Sequence, residues 1–366
     1  MGSIVRVGLI GFGYWGPNLA RNLNSSLDTE LVAICDASGG ARAHAADHFP
    51  SVALVDDSTR LLTDPDVDAL VLATPAATHA ALALRALESG KHVLIEKPMA
   101  LTVDECDRLI GEADRRGLTL MVGHTFRYHP AVRWLRDHLE RGDFGRVLYM
   151  YGQRLNLGRV RTDVNVVWNL APHDFSMAMY LLDAFPVSVR ASGGRFLGQP
   201  HEDVAFVQLH FPDGTMAYFH LSWLDPQKTR SLTVVGSDRM VVFDDTELNA
   251  PITVFDSSVE RTPHPGPGDG SMVHFHMHVR QGDRYEPRIP FREPLADECN
   301  EFADCIRTGR TPLTDGHEGR RVVAVLQAVD ESIQRDGALV PVDDPEVGRP
   351  APPTTPAGTS SIHDRD

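Results

Sequence analysis

The first third of the chain alternates short, unbroken apolar runs with helix-length amphipathic segments. No other feature of the 366 residues limits the fold as tightly. The runs occupy residues 4–10, 31–35, 52–55, 69–73, 93–95 and 119–122. Between them, residues 78–88 carry Ala81, Leu82, Leu84 and Leu87 on one helical face, and residues 102–116 read as another helix. Val/Ile/Leu runs without polar alternation suit strands buried on both faces. Alternating with helices, they predict right-handed βαβ units and a doubly wound parallel sheet.

The first run leads into Gly11-Phe12-Gly13-Tyr14-Trp15-Gly16, a G-x-G-x-x-G that opens a helix expected over residues 14–23. Glycines alone also make ordinary turns, so the context decides. Asp36 closes the second run twenty residues after Gly16. Gly11 makes the tight turn, Gly13 lets backbone approach a pyrophosphate, and Gly16 permits close helix–strand packing. The helix N-terminus stabilises phosphate charge, and Asp36 is placed to accept hydrogen bonds from an adenosine ribose. Gly11, Phe12, Gly13, Tyr14, Trp15, Gly16 and Asp36 are therefore expected to bind a dinucleotide. After Asp36 come Ala37 and Ser38, with no arginine until Arg42. A 2′-phosphate would meet a carboxylate without an adjacent cation, which favours NAD over NADP.

Fifty acidic residues against 35 basic ones give a formal charge of -15, which argues against nucleic acid or an anionic membrane as partner. Cys35, Cys106, Cys299 and Cys305 contain no C-x-x-C pair and read as free thiols of a reducing compartment. No apolar run approaches the roughly 18 residues of a membrane span. The first strand begins too early to leave room for a targeting peptide, so a cytoplasmic location is expected.

Only three of the basic residues are lysines, and two of them, Lys91 and Lys97, flank one apolar strand in Lys91-His92-Val93-Leu94-Ile95-Glu96-Lys97-Pro98. Arginine stays protonated, whereas a buried lysine can shed its proton and act as a base. Active sites of open α/β sheets lie beyond the carboxyl ends of the strands, where Lys97 falls. A strand-end lysine can equally be a surface ion-pair partner.

The glycine loop, Asp36, Ala73-Thr74-Pro75 with Thr78-His79, Glu96-Lys97-Pro98 and Val122-Gly123-His124-Thr125-Phe126-Arg127-Tyr128 together resemble the Gfo/Idh/MocA oxidoreductase family, named for glucose–fructose oxidoreductase and inositol dehydrogenase. The resemblance spans residues 4–342. It implies that Lys97 is the catalytic lysine, and that Thr74, Pro75, His79, Glu96 and Lys97 line the cofactor. A second landmark, Trp168-Asn169-Leu170-Ala171-Pro172-His173-Asp174, is followed by an apolar helix through Met177, Tyr180 and Leu181, with His173 at the helix start. The family pattern here is D-x-x-x-H. His173 matches, whereas Asn169 stands where an aspartate is usual. Asparagine orients a hydroxyl but takes up no proton, leaving Lys97 and His173 as the acid/base pair and Asn169 as a positioning group.

Beyond residue 124 the pattern changes to period-two alternation. Ala205, Val207, Leu209 and Phe211 alternate with polar or exposed neighbours, and Ala217, Phe219, Leu221 and Trp223 do so after the turn at residues 212–215. With strands at 147–155, 187–195 and 232–243, this predicts an α+β domain with a mostly antiparallel sheet, open on one face. Phe206 and Tyr218 on that face suggest a partner surface, and the resemblance implies homodimers or homotetramers formed through it. Arg154, Asn156, Arg159 and Arg161 precede the second landmark; with Arg127, Asn169 and His173 they are candidates to hold the substrate, while the arginines also read as ordinary solvated side chains. His274, His276 and His278 share one face if their segment is a strand, but no carboxylate sits at suitable spacing and no metal is expected. Residues 262–270 read as an exposed loop. Helices are expected over residues 293–307 and 319–333. The predicted organisation is a dinucleotide domain at 1–124, a substrate and oligomerisation domain at 125–342, and a disordered tail at 343–366. The expected activity is an NAD-dependent dehydrogenase or ketoreductase of a nucleotide- or phospho-sugar. The alternatives are a free aminosugar, aminoglycoside or cyclitol dehydrogenase, and a non-catalytic NAD-binding sensor.

Overall fold

The computed structural model describes residues 4–158, 160–264 and 274–343. The first part forms β1 (Val5–Ile10), α1 (Gly16–Ser25), β2 (Thr29–Cys35), α2 (Gly39–His48), β3 (Ala53–Val55), α3 (Thr59–Thr63), β4 (Ala69–Leu72), α4 (His79–Glu88), β5 (His92–Glu96), α5 (Val103–Arg116) and β6 (Leu120–Gly123). All six strands are parallel, in the order β3-β2-β1-β4-β5-β6. The order reverses between β1 and β4, the crevice where such sheets take ligands. Leu70, Val71, Leu72, Val93, Leu94 and Ile95 are all buried, as continuous apolar runs require. α5 starts in a capping box between Thr102 and Glu105 and ends at left-handed Gly117.

The helix expected from residue 14 begins at Gly16, because Tyr14 and Trp15 belong to the turn that leads into it. Gly11 has φ +99°, and a Cβ there would stand 2.6 Å from the Ala73 carbonyl oxygen. At Gly16 a Cβ would come within 2.5 Å of the Gly11 carbonyl oxygen. Gly13 faces open space, which suits close approach of a phosphate to the backbone.

α6 (Pro130–Glu140) leads into β7 (Val147–Leu157) and α7 (Val166–Leu182). There follow β8 (Ser188–Gly194), β9 (Val204–His210), β10 (Met216–Ser222), β11 (Leu224–Gly236), β12 (Met240–Asp244), β13 (Ile252–Phe255), β14 (Ser258–His264), β15 (His274–Arg280) and β16 (Arg284–Tyr285). α8 (Pro294–Thr308), α9 (Gly316–Gln334) and β17 (Val340–Pro341) complete the described chain. Nine strands form one sheet, β16-β13-β12-β11-β7-β10-β9-β8-β17, antiparallel except for the β10–β7 pair. Its inner side chains, among them Ala205, Val207, Ala217, Phe219 and Leu221, pack into a core shared with α7 and α9. Phe206, Tyr218, Tyr149 and Tyr151 stand exposed on the other face.

One expectation changes here. Thr262, Pro263 and His264 end strand β14 instead of opening a loop; residues 265–273 lie outside the described residues, as do residues 344–366 of the expected tail. β14 and β15 form a separate antiparallel hairpin that brings His278 opposite Glu260. No group able to hold a metal ion occurs among the described residues, and none of the described helices is long and apolar enough to cross a membrane.

The two halves are also more entangled than a division at residue 124 suggests. Leu295, Cys299, Phe302 and Ala303 of α8 share a core with Val5, Val7, Leu9 and Leu19 of β1 and α1. β6 is tied to the segment before α9, with Val122 N–H donating to the Thr314 carbonyl at 2.8 Å.

Candidate active site

β5 carries Lys97 out of the sheet at its carboxyl end, beside the crevice. The lysine Nζ donates to the backbone carbonyl of Asn169 at 2.8 Å. Burial pushes its pKa below the ordinary lysine value; Glu96 opposes that shift, while Arg154 and Arg161 add to it. Glu96 is moved the other way, upward, again chiefly by burial and against the pull of Lys97. Its Oε2 accepts from the Lys97 backbone N–H at 3.2 Å, and its Oε1 is buried without a protein partner.

α7 brings the second landmark to this amine. The helix begins at Val166, well before His173, so Asn169 and His173 lie one turn apart inside it. Pro172 disguises this in sequence, because an internal proline removes an N–H and ordinarily breaks a helix. The first turn survives because it is anchored. Asn165 caps it by accepting from the Trp168 N–H at 3.0 Å, and Asp330 of α9 accepts from Trp168 Nε1 at 2.6 Å and Asn165 Nδ2 at 2.9 Å.

His173 is driven well below the ordinary histidine range by burial first, then by Lys97 and Arg154, so it is neutral. Its Nδ1 is buried without a protein partner, and its ring meets Phe126 edge-on at 5.0 Å. The Asn169 side chain accepts from Trp223 Nε1 at 3.2 Å. His124, which the sequence reading passed over inside its own motif, is fully buried with both ring nitrogens unpartnered. Burial, helped by Arg127, takes it down to about 3.

The arginines separate into two kinds. Arg154 is buried and clasps Asp174 through two bonds of 2.8 and 2.9 Å, its guanidinium stacked on Phe126. Arg127 is buried against Glu318 and lies over the Tyr180 ring. Neither is the free cation expected to grip a substrate; each braces the wall behind the site. Arg161 differs: it pairs with Asp163 in an accessible contact and is close enough to influence both Lys97 and His79. Arg159 lies outside the described residues, and Asn156 holds a buried, unpartnered Oδ1 on β7.

The residues present fit a dinucleotide. The Asp36 carboxylate is fixed by N–H donation from Phe12 at 2.7 Å and Ser38 at 2.8 Å, which leaves lone pairs for a ribose. Arg42 spends its guanidinium on the carbonyls of Asp36 and Ala37. The Thr78 hydroxyl donates to the Pro75 carbonyl at 2.7 Å and lies 2.7 Å from the Thr74 hydroxyl. His79 does not line the crevice as expected. It is turned inward, 1% exposed, with its ring nitrogens 2.8 Å from the carbonyls of Pro98 and Thr74. It shapes the cleft by joining the ends of β4 and β5.

The oxidoreductase family model with an NAD-binding Rossmann fold matches residues 5–124, and the Gfo/Idh/MocA C-terminal domain matches residues 132–242. The chain belongs to the Gfo/Idh/MocA oxidoreductase family. Among relatives, the UDP-N-acetylglucosamine 3-dehydrogenase of Acidithiobacillus ferrooxidans is 31% identical over 342 residues, covering 90% of this chain and 99% of that one. A solved structure of that dehydrogenase superposes with TM-score 0.74 at 28% identity, covering 91% and 99% of the two chains. The scyllo-inositol 2-dehydrogenase (NAD(+)) of Bacillus subtilis is 25% identical, covering 93% and 96%. This chain is thus an oxidoreductase of a family whose members include the UDP-N-acetylglucosamine and scyllo-inositol dehydrogenases just named. The Gfo/Idh/MocA assignment accounts for the parallel sheet, the glycine loop and the open-faced second sheet together.

Proposed function

We propose that this oxidoreductase is an NAD⁺-dependent dehydrogenase acting on a secondary alcohol of a nucleotide-activated sugar. The observation that carries the reading is the Lys97 amine, held at 2.8 Å on the Asn169 carbonyl near a neutral His173 whose Nδ1 has no protein partner. Gly11 to Gly16, the start of α1, Asp36, Thr74, Pro75 and Glu96 would hold the dinucleotide, whose nicotinamide supplies the hydride acceptor when bound.

The chain's own groups handle the proton. In oxidation, Lys97 must be neutral to accept the hydroxyl proton, and its lowered pKa makes that state accessible. The Asn169 carbonyl fixes the direction of the amine. His173, neutral and half-buried, donates to or accepts from the same hydroxyl without adding charge. In reduction the same groups return the proton to a ketosugar. Lys97 and His173 together argue against a non-catalytic sensor.

Arg161 supports the activated form of the sugar. An exposed ion pair such as Arg161–Asp163 contributes only about 0–1 kcal/mol, so a phosphate can displace Asp163 and take bidentate bonds instead. NAD⁺ over NADP⁺ rests on Asp36, whose charge opposes a 2′-phosphate, and on Arg42, already committed to main-chain carbonyls. The test is a screen of NAD⁺ and NADP⁺ reduction against nucleotide sugars, sugar phosphates, free sugars, cyclitols and aminoglycosides. Nucleotide sugars with NAD⁺ should give the highest kcat/KM; a free sugar or cyclitol in first place would overturn the substrate reading.

The exposed sheet face supports self-association. Tyr149 and Tyr151 stack at 6.4 Å and Phe206 lies on His220 at 4.4 Å. Beside them is a shallow cavity of about 390 Å³ lined by Tyr151, Phe206 and Tyr218, remote from Lys97. An aromatic face of this kind is self-complementary about a two-fold axis, and sedimentation should give at least a dimer.

A further inference from the structure

We propose that Glu298 of α8 keeps a proton and shares it with Glu96, so that the two carboxyl groups carry one negative charge between them, and that this single charge steadies Lys97 through the reaction. Glu298 is then a positioning residue that acts through Glu96. Its part in turnover rests on the dehydrogenase reading above.

Glu298 is 0% exposed, and neither of its carboxylate oxygens has a protein partner. Glu96 Oε1 is buried in the same condition. α8 brings Glu298 in from the C-terminal part of the chain, one residue before the Cys299 that shares a core with β1 and α1. Glu96 arrives from the other side. The sheet register sets it against Gly123, where a Cβ would stand 3.3 Å from its carboxyl carbon. The turn Thr125–Tyr128 follows at once, and Tyr128 packs in one core with Leu295, Cys299 and Phe302 of α8. Both carboxylates help to keep the Cys299 thiol protonated, so they lie within electrostatic reach of one point.

The cations that face this seam are engaged elsewhere. Arg21 of α1 is bound to Glu293, Arg127 to Glu318, and Arg133 lies over the Tyr128 ring. Tyr128 and Cys299 are themselves neutral, pushed up by burial. Burial lifts Glu298 well above the usual carboxylate range; Glu96 adds to this, and the Thr125 hydroxyl opposes it. A buried carboxylate without countercharge or donor takes up a proton, and the acid so formed is a donor. Glu96 Oε1 is an acceptor in want of one. A single proton between the two groups meets both needs.

One charge is also what the chemistry asks for. A hydroxyl that gives its proton to Lys97 and its hydride to the bound nicotinamide leaves one positive charge in the site before and after, first on the ring and then on the amine. One carboxylate balances either state. Two would hold Lys97 protonated and unable to act as a base. None would leave its ammonium form uncompensated, since burial, Arg154 and Arg161 all oppose it.

The test needs neither sugar nor cofactor. The chain has only three lysines, so lysine labelled with ¹³C at Cε gives three signals, and Lys97→Met identifies the one to follow. The full-length wild type, Glu96→Gln, Glu298→Met and Glu298→Gln are titrated, and infrared spectra are compared at neutral pH. The wild type should show the carbonyl band of a buried carboxylic acid, and Glu298→Gln should remove it. Glu96→Gln should lower the Lys97 midpoint by about one to three units, the range for a neighbouring opposite charge. Glu298→Met takes the donor from Glu96, which then keeps a proton to higher pH, so the Lys97 midpoint should fall in the same direction by less. Glu298→Gln supplies a neutral donor and should bring the midpoint back. If Glu298→Met fails to fold, the infrared band and the Glu298→Gln midpoint decide. An absent acid band, a midpoint untouched by Glu298→Met, or a midpoint that Glu298→Gln lowers as far as Glu298→Met does, the sign of an ionised Glu298, overturns the inference. The expected band and midpoints in a protein that oxidises no sugar uphold the shared proton and overturn the dehydrogenase reading instead.

Discussion

The two ends of β5 each carry a lysine, and they teach different things. Lys91, at the start, is 8% exposed, and its Nζ donates to the carbonyls of Asp64 at 2.6 Å and Val67 at 2.7 Å. Lys97, at the finish, has one protein carbonyl, a buried carboxylate beside it, and unpartnered imidazoles nearby. Burial lowers both pKa values. Burial therefore does not distinguish a catalytic amine from a structural one. The difference is that Lys91 has its bonds met by the chain, whereas the surroundings of Lys97 retain unmet groups at the edge where ligands bind.

The largest effect that can break this contrast is Lys97→Met. It should lower kcat/KM for oxidation by about a thousandfold or more, within the range of general-base catalysis, and leave NAD⁺ affinity within about a few-fold by fluorescence titration. Wild-type oxidation should rise with pH as Lys97 loses its proton, with a midpoint below the ordinary lysine value of 10.5. Persistence of the same limb in the residual activity of the variant would assign it to another group.

Next in size is Asp174→Asn. It strands the buried Arg154 charge and should cost about 3–5 kcal/mol in denaturant unfolding; a loss confined to substrate affinity would instead return Arg154 to the role of a substrate ligand. The smallest effect is at Lys91→Met, where two carbonyls lose their donor. Stability should drop by about 1–3 kcal/mol with kcat unchanged. A fall in kcat with unaltered stability would erase the distinction between the two ends.

The parallel sheet was legible because strands buried on both faces leave unbroken apolar runs, and the glycine loop because Gly11 and Gly16 have no room for a Cβ. Lys97, Asn169 and His173 were found through motifs, and the structure brings them together. What escaped depends on distant partners. The start of α7 was hidden by Pro172, and the groups that hold its first turn include Asp330, 162 residues from Trp168. Arg127 and Arg154 are visibly cationic in sequence, but Glu318, 191 residues from Arg127, has no local signal. Asp174 stood inside the quoted landmark, and only the fold shows it facing β7. Trp223 read as one more inward residue of an alternating strand; its indole N–H gained meaning only once Asn169 was opposite.

The packing of α8 over β1 and α1 bears on how this enzyme can be taken apart. Phe302 and Cys299 are as much the lining of the nucleotide half as Leu9 and Leu19 are. The nucleotide half is therefore no interchangeable cassette. A chimera that swaps substrate specificity by exchanging everything after residue 124 would import a foreign lid for its own first strand, so successful recombination must keep the C-terminal helices with the N-terminal sheet they close.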